Sequence, residues 1–295
     1  MPIKLSWECD STLVSKVSVY KSTEDFDIKD LPNPVYTSDN LIKEYIDDSV
    51  ETFVKYHYLV SVQTDSDSVY FSPKVEITPK DYSKYLVVHL PFNNPALEDL
   101  GTEKITWSPY YHSNTLTLVD DVDNNGNPIK AASFDYNILK SNKDLSALNT
   151  EDFTIKIVAK PLNKNGSSIH MWARYLNIGR NSDYHSFFIA SNVYQENGQV
   201  HTEARPNGYN QWLTDSPYDS YPDNIYKTIT IVRESGIFYQ YSDNALLSIN
   251  SDFKNYSIPP KELFIGGNES GRELIRAYIQ DIKIYKGVAI HPNKD

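Results

Sequence analysis

One cysteine, Cys9, stands in a chain of 295 residues. No disulfide framework and no cysteine-based zinc site can be written from it. Cys9 itself is read as a small, half-buried strand residue. No run of 18 apolar residues occurs, so nothing crosses a membrane as a helix. The first ten residues, MPIKLSWECD, have neither the basic start nor the apolar stretch of a secretory signal, and none is expected. No window keeps a helical period over three turns. Positive charge is scarce: 28 Lys and Arg face 39 Asp and Glu, for a net charge of −11. A chain this acidic repels phosphate backbones, which excludes nucleic acid as the expected partner.

Aromatic side chains are abundant, with 23 Tyr, 11 Phe and 4 Trp. Such residues suit half-buried pleated surfaces, so the expected fold class is all-β. Residues 54–64 (VKYHYLVSVQT) alternate cleanly. Val54, Tyr56, Tyr58, Val60 and Val62 share one face, and Lys55, His57, Ser61 and Gln63 share a second, wet one. Residues 16–22 and 74–78 read as further strands, divided by turn signals at 31–34 (LPNP) and 64–68 (TDSDS). The acidic stretch 24–30 (EDFDIKD) reads as a solvated loop. Residues 1–79 hold seven Lys, no Arg and fourteen Asp or Glu, a net of −7 against −4 for the rest. This shift marks a domain boundary near the short joint at 79–85.

The order KLSWEC (4–9), VSVYKST (17–23), YIDDSV (45–50), VKYHYLVSVQT and KVEIT resembles a fibronectin type III domain over residues 1–79. In that resemblance Trp7 takes the place of a core Trp, and Tyr56 or Tyr58 that of the Tyr on the sixth strand.

Residues 80–295 begin with YLVVHLPF (85–92), followed by a hairpin turning at Asn124–Asn127. In 150–162, Phe153, Ile155, Ile157 and Ala159 alternate with Thr154, Lys156 and Lys160. Residues 228–249 read as three strands turning at Glu234–Gly236 and Ser242–Asn244. LFIGGN (263–268) and AYIQDIKIYKGVAI (277–290) close the unit. This order resembles the laminin-G/concanavalin A-like jelly roll across nearly all of 80–295. Two departures, Tyr226 or Lys227 at a family Trp position and Asn244 in place of a turn Gly, are structural. The fold expectation is thus an immunoglobulin/fibronectin-III-like sandwich followed by a concanavalin-like jelly roll.

No catalytic pattern stands out. Some relatives of this jelly roll hydrolyse glycosides, but their Glu-x-Asp-x-x-Glu run is missing. GNESG (267–271) has its Ser one place too late for a nucleophile elbow. The seven His are scattered and read as separate, satisfied or solvent-facing residues. Residues 121–126 (DVDNNG) match the first half of a calcium loop, but the twelfth position is Ala132. A polar hairpin turn and a weak calcium site of Asp120, Asp121, Asp123 and Asn125 both stay open.

The candidate recognition segment is 203–226, read as a long irregular loop rich in Pro, Asn and Asp. It offers Arg205, Tyr209, Asn210, Gln211, Trp212, Asp215, Tyr218 and Tyr221 as ligand contacts. Their rings suit sugar faces and their polar groups suit hydroxyls. The same residues suit a protein interface, or could pack on their own sheet. Residues 169–175 (IHMWARY) read as a strand with Trp172 in the core.

The resemblances imply a non-enzymatic protein. The expected role is a bacteriophage virion surface protein, a capsid decoration, whisker or tail-attached component, made in the host cytoplasm without an export signal. Its expected partners are other virion proteins and host-surface glycans, and a homo-oligomer is compatible with it. The alternative is a carbohydrate-binding adhesin of phage tail or bacterial surface.

Overall fold

A computed structural model of the chain describes residues 2–9, 14–93, 95–111, 116–162, 172–180, 185–191, 198–205 and 211–293. The chain is all-β and divides into two compact units, Met1–Tyr82 and Ser83–Asp295.

In the first unit, β1 (Ile3–Ser6) pairs with β4 (Glu44–Asp47) as a two-stranded sheet. A second sheet joins β2 (Val14–Ser22), β3 (Pro34–Ser38), β5 (Tyr56–Thr64), β6 (Val69–Phe71) and β7 (Val75–Ile77). Its order is β3-β2-β5-β6, with β7 also on β5. Pro34 starts an edge strand, and Pro73 falls in the break between β6 and β7, the places where a missing N–H is tolerated. The two-residue alternation sends Val17 and Val19 inward from β2, and Tyr56, Tyr58 and Val60 inward from β5, to meet Ile3. Tyr58 also carries a polar tip. Its OH donates to Asp47 Oδ2 at 2.6 Å, and Lys21 Nζ lies 2.8 Å from the same oxygen. The second face of β5 is drier than its sequence implies, because Tyr20 reaches over Ser61 while Asp25 and Glu76 flank His57. Residues 24–30 form an exposed turn region, and Cys9 is half-buried just past the end of β1.

The second unit is a jelly-roll sandwich of two antiparallel sheets. One contains β8 (Leu86–Pro91), β10 (Thr117–Val122), β11 (Pro128–Asp135), β13 (Phe153–Pro161), β18 (Lys227–Glu234), β19 (Ile237–Ser242), β20 (Ala245–Asn250) and β22 (Arg276–Lys286). β22 is long enough to pair along one edge with β13 and to share its other edge between β11 and β8. The opposing sheet runs β17 (Gln211–Asp215), β16 (Val200–Ala204), β15 (Phe187–Ser191), β14 (Arg174–Ile178), β21 (Leu263–Ile265), β12 (Ile138–Ser141) and β9 (Trp107–Tyr111). The core lies between them. Ile155, Ile157, Ile231, Ile282 and Ile284 face Leu176, Ile178, Phe187, Ile189 and Ile265. Each such side chain removed from water contributes about 1.5–3 kcal/mol.

The hairpin between β10 and β11 turns where the sequence indicates. Asp123 Oδ1 accepts from the N–H groups of Asn125 and Asn127, both at 2.8 Å, and Gly126 takes φ +84°. The turns at 234–236 and 242–244 join β18 to β19 and β19 to β20.

Candidate functional site

The outer face of the seven-stranded sheet follows from the same alternation. On β16, Val200 and Ala204 point into the core, so His201 and Glu203 point out. Their cross-strand partners on β15, Ala190 and Phe188, share that face. On β17, Trp212 stands opposite Glu203 and Asp215 opposite His201, with the register shift between them placing Leu213 in the core.

These residues build a platform of rings over buried polar groups. His201 stacks on Trp212 with centroids 4.9 Å apart, and Trp172 meets both edge-on, at 4.7 Å and 5.4 Å. Trp212 is 44% exposed, whereas His201 is fully buried and Glu203 is 1% exposed. Beside them the Arg174 guanidinium lies 3.7 Å from the Phe188 ring centre. It donates to Asn177 Oδ1 at 2.5 Å and pairs with Glu273 at 2.6 Å. Glu273 is held in turn by Asn268 Nδ2 at 2.8 Å.

Burial dominates the electrostatics. It lowers the His201 pKa to about 3, with the Arg174 charge adding to the effect. It raises Glu203 to about 7, against the pull of Arg174 and Arg205. It brings Arg174 down to about 10 despite Glu273, and it raises Asp215 against the Ser216 N–H. His201 Nε2 and Glu203 Oε1 are 3.6 Å apart, close enough for an ion pair. Desolvation nevertheless keeps the imidazole neutral and favours a protonated carboxyl, since burial outweighs the pull of Arg174 and Arg205 on Glu203 and the Arg174 charge further disfavours an imidazolium. Both ring nitrogens of His201, Oε2 of Glu203 and Oδ1 of Asp215 are shielded and make no hydrogen bond among the described residues. Unspent donors and acceptors beneath an exposed indole are what a polyhydroxylated ligand or ordered water would use.

Of the residues expected from sequence, Trp212 and Asp215 belong to this face, and Gln211 lies half-buried beside it at the start of β17. Arg205, just past β16, is near enough for its charge to act on Arg174 and Glu203. Tyr218 is exposed in the following loop. Tyr209 and Asn210 lie outside the described residues. Tyr221 is corrected: it is 1% exposed, packs in the core, and spends its OH on the Tyr241 carbonyl at 2.7 Å. The long irregular loop is also corrected, because β17 occupies its middle and pairs with β16. Trp172 is neither core nor strand. It precedes β14 with φ +69° and is half-buried among the platform rings. His201, which reads from sequence as satisfied or solvent-facing, is buried with no hydrogen-bond partner for its ring nitrogens among the described residues. The signal for it was present in Val-His-Thr-Glu-Ala, where a strand puts two ionisable residues on one face.

Asp120, Asp121, Asp123 and Asn125 do not converge. Asp120 and Asp121 leave β10 on opposite faces and pair with Lys130 and Lys160, and Asp121 also accepts from Tyr226 OH. The Asp123 carboxylate holds the turn backbone. Among the described residues no group of three or more His, Cys, Asp or Glu is placed to hold a metal.

No family model and no curated protein sequence matches the chain. Solved structures do match its fold. The botulinum neurotoxin serotype D binding domain aligns with TM-score 0.51 and 14% identity, over 72% of this chain and 51% of that one. This chain therefore spans about half the length of that domain. Domain 4 of AbnA, a GH43 extracellular arabinanase from Geobacillus stearothermophilus solved with arabinotriose, aligns with TM-score 0.49 and 15% identity, over 70% of this chain and 95% of that one. At these identities the likeness is one of fold, and what this chain shares with the neurotoxin domain is a β-sandwich architecture.

Proposed function

We propose that the protein is a non-enzymatic carbohydrate-binding protein whose jelly-roll unit takes glycans on the outer face of the seven-stranded sheet. The observation that carries this reading is the exposed Trp212 ring, backed by His201 and Trp172, above buried polar groups that make no hydrogen bond among the described residues. An indole offers its face to the apolar side of a sugar ring, and adjacent polar groups fix the hydroxyls. The carboxylates here are poorly placed for hydrolysis. Glu203 lies beneath the rings, and Glu273 is engaged by Arg174 and Asn268. A glycan array probed with wild type and Trp212→Ala tests the reading. Signal in the wild type that the variant loses supports it, and silence of both proteins argues against it. Incubation with polysaccharides is expected to release no new reducing ends.

The first unit fits a fibronectin-III-like sandwich in this proposal. Support comes from β1-β4 opposed to β3-β2-β5-β6, with Tyr56 and Tyr58 in the core between them and Trp7 half-buried against it. Display on the outside of a bacteriophage virion, one unit docked and the other outward, remains part of the proposal and rests on the sequence resemblance. Immunogold labelling of particles tests it.

A further inference from the structure

The first unit is a sandwich with unequal sides. Five strands form one sheet and two the other, so part of the wider sheet is left uncovered. Trp7 N–H donates to Lys43 O at 3.1 Å, which fixes the main-chain direction along β1. Residues 3, 5 and 7 turn their polar groups toward β4, so Lys4, Ser6 and Glu8 turn theirs outward. Among the described residues no strand pairs with that outer edge. A groove of about 860 Å³ opens between this edge and β5, β6 and β7, lined by Leu5, Trp7, Val60, Tyr70, Phe71 and Val75. Tyr70 is 64% exposed, and Phe71 and Val75 are exposed too. Trp7 Nε1 is shielded from solvent yet hydrogen-bonds to nothing among the described residues. An unpaired edge, an apolar trough and an unspent indole N–H thus lie side by side.

We propose that this groove accepts an extended segment of a different protein, which adds as a strand to the outer edge of β1. Main-chain bonds to Lys4, Ser6 and Glu8 hold it, and alternate apolar side chains fill the trough. The charge selects the partner. The unit carries −7 with no Arg, and Glu8 lines the groove, so the segment carries Lys or Arg beside its apolar residues. A second copy is a poor donor: it brings the same negative charge, and its alternating apolar runs on β5 and β13 are already paired along both edges.

A yeast-displayed library of random dodecapeptides, selected on the full chain and counter-selected on Ser6→Pro, tests the proposal. Proline at position 6 removes an N–H that faces the groove while leaving the bonds to β4, and edge strands tolerate it. Enriched peptides are expected to be apolar at every second position with basic flanks. A synthetic one should bind Ser6→Pro about tenfold more weakly than wild type. It should also slow the reaction of Cys9, which lines the groove, with a thiol reagent. If Ser6→Pro melts well below wild type, Tyr70→Glu at the exposed rim replaces it as the counter-selecting variant. Enrichment that is unaffected by either variant, peptides without the two-residue period, or no enrichment at all would overturn the proposal. So would a dimer by sedimentation that Ser6→Pro dissociates, since it would assign the groove to a second copy.

Discussion

The imidazole of His201 lies against the indole of Trp212, their planes 25° from parallel, with the exposed ring outside and the buried ring inside. His201 is thus the backing that fixes the angle of the platform. Replacing it with alanine leaves a cavity under Trp212 and lets the indole tilt. We expect His201→Ala to weaken glycan binding about tenfold by titration calorimetry while the fold is kept, and His201→Phe, which restores a backing ring, to recover most of that loss.

Glu203 and His201 give the jelly-roll unit opposite pH dependences. The Glu203 pKa rises from 4.5 to about 7 on folding, so the folded state holds a proton that the unfolded state releases. Its contribution is complete below pH 4.5 and is lost as pH rises through about 7. His201 falls from 6.5 to about 3, so its contribution is present above pH 6.5 and is lost as pH drops toward 3. Each limb is worth a few kcal/mol, about 1.4 per pH unit. Melting temperatures measured across pH should fall toward both extremes. Glu203→Gln should flatten the alkaline limb and leave the acid limb in place. An unchanged alkaline limb would contradict the assignment.

In the first unit, Asp47 accepts from Tyr58 OH and Ser49 Oγ, both at 2.6 Å, and from Lys21. Burial raises its pKa, but the Lys21, Ser49 and Tyr58 contacts outweigh it and hold the carboxyl near 2. This stabilisation exists above the unfolded value of 3.8 and is lost as pH falls through about 2. Asp47→Ala strands Tyr58 OH and the Lys21 charge, and we expect a loss of about 3 kcal/mol by denaturant unfolding. Tyr58→Phe should cost about 1–2 kcal/mol.

Two glycines separate conformational cost from steric cost. Gly126 has φ +84° with open space around its Cβ position, so Gly126→Ala should cost about 1 kcal/mol. Gly266 has φ +90°, and a Cβ there would meet Asn137 O and Phe134 Cδ1, both at 2.4 Å. Gly266→Ala should cost more than about 3 kcal/mol, with the difference visible in urea unfolding.

The strands were legible where alternation is long. Tyr56–Val62 and Phe153–Ala159 carry enough apolar residues at period two to fix both existence and face, and Ile282 and Ile284 do the same for the last stretch of β22. β17 was not, because five residues flanked by Pro, Asn and Asp look like loop until β16 is seen beside them. Trp212 and Asp215 could be named from composition, but their shared face depends on a register shift that no local signal reports. Tyr221 misled for the converse reason: a Tyr in a polar segment looks exposed, and only tertiary packing buries it. Asp121, Asp123 and Asn125 match a calcium-loop motif by spacing and Asp120 adjoins it, yet Asp120 and Asp121 are adjacent strand residues that point apart, which the spacing alone does not convey.

The most direct test of the glycan face is fluorine NMR of protein labelled with 5-fluorotryptophan, titrated with glycans taken from the array. The four indoles divide cleanly, Trp172 and Trp212 on the platform and Trp7 and Trp107 elsewhere. Saturable shifts of the Trp212 and Trp172 resonances with Trp7 and Trp107 unmoved are expected. Binding that moves only Trp7 or Trp107, or an array that yields no ligand, would contradict the account.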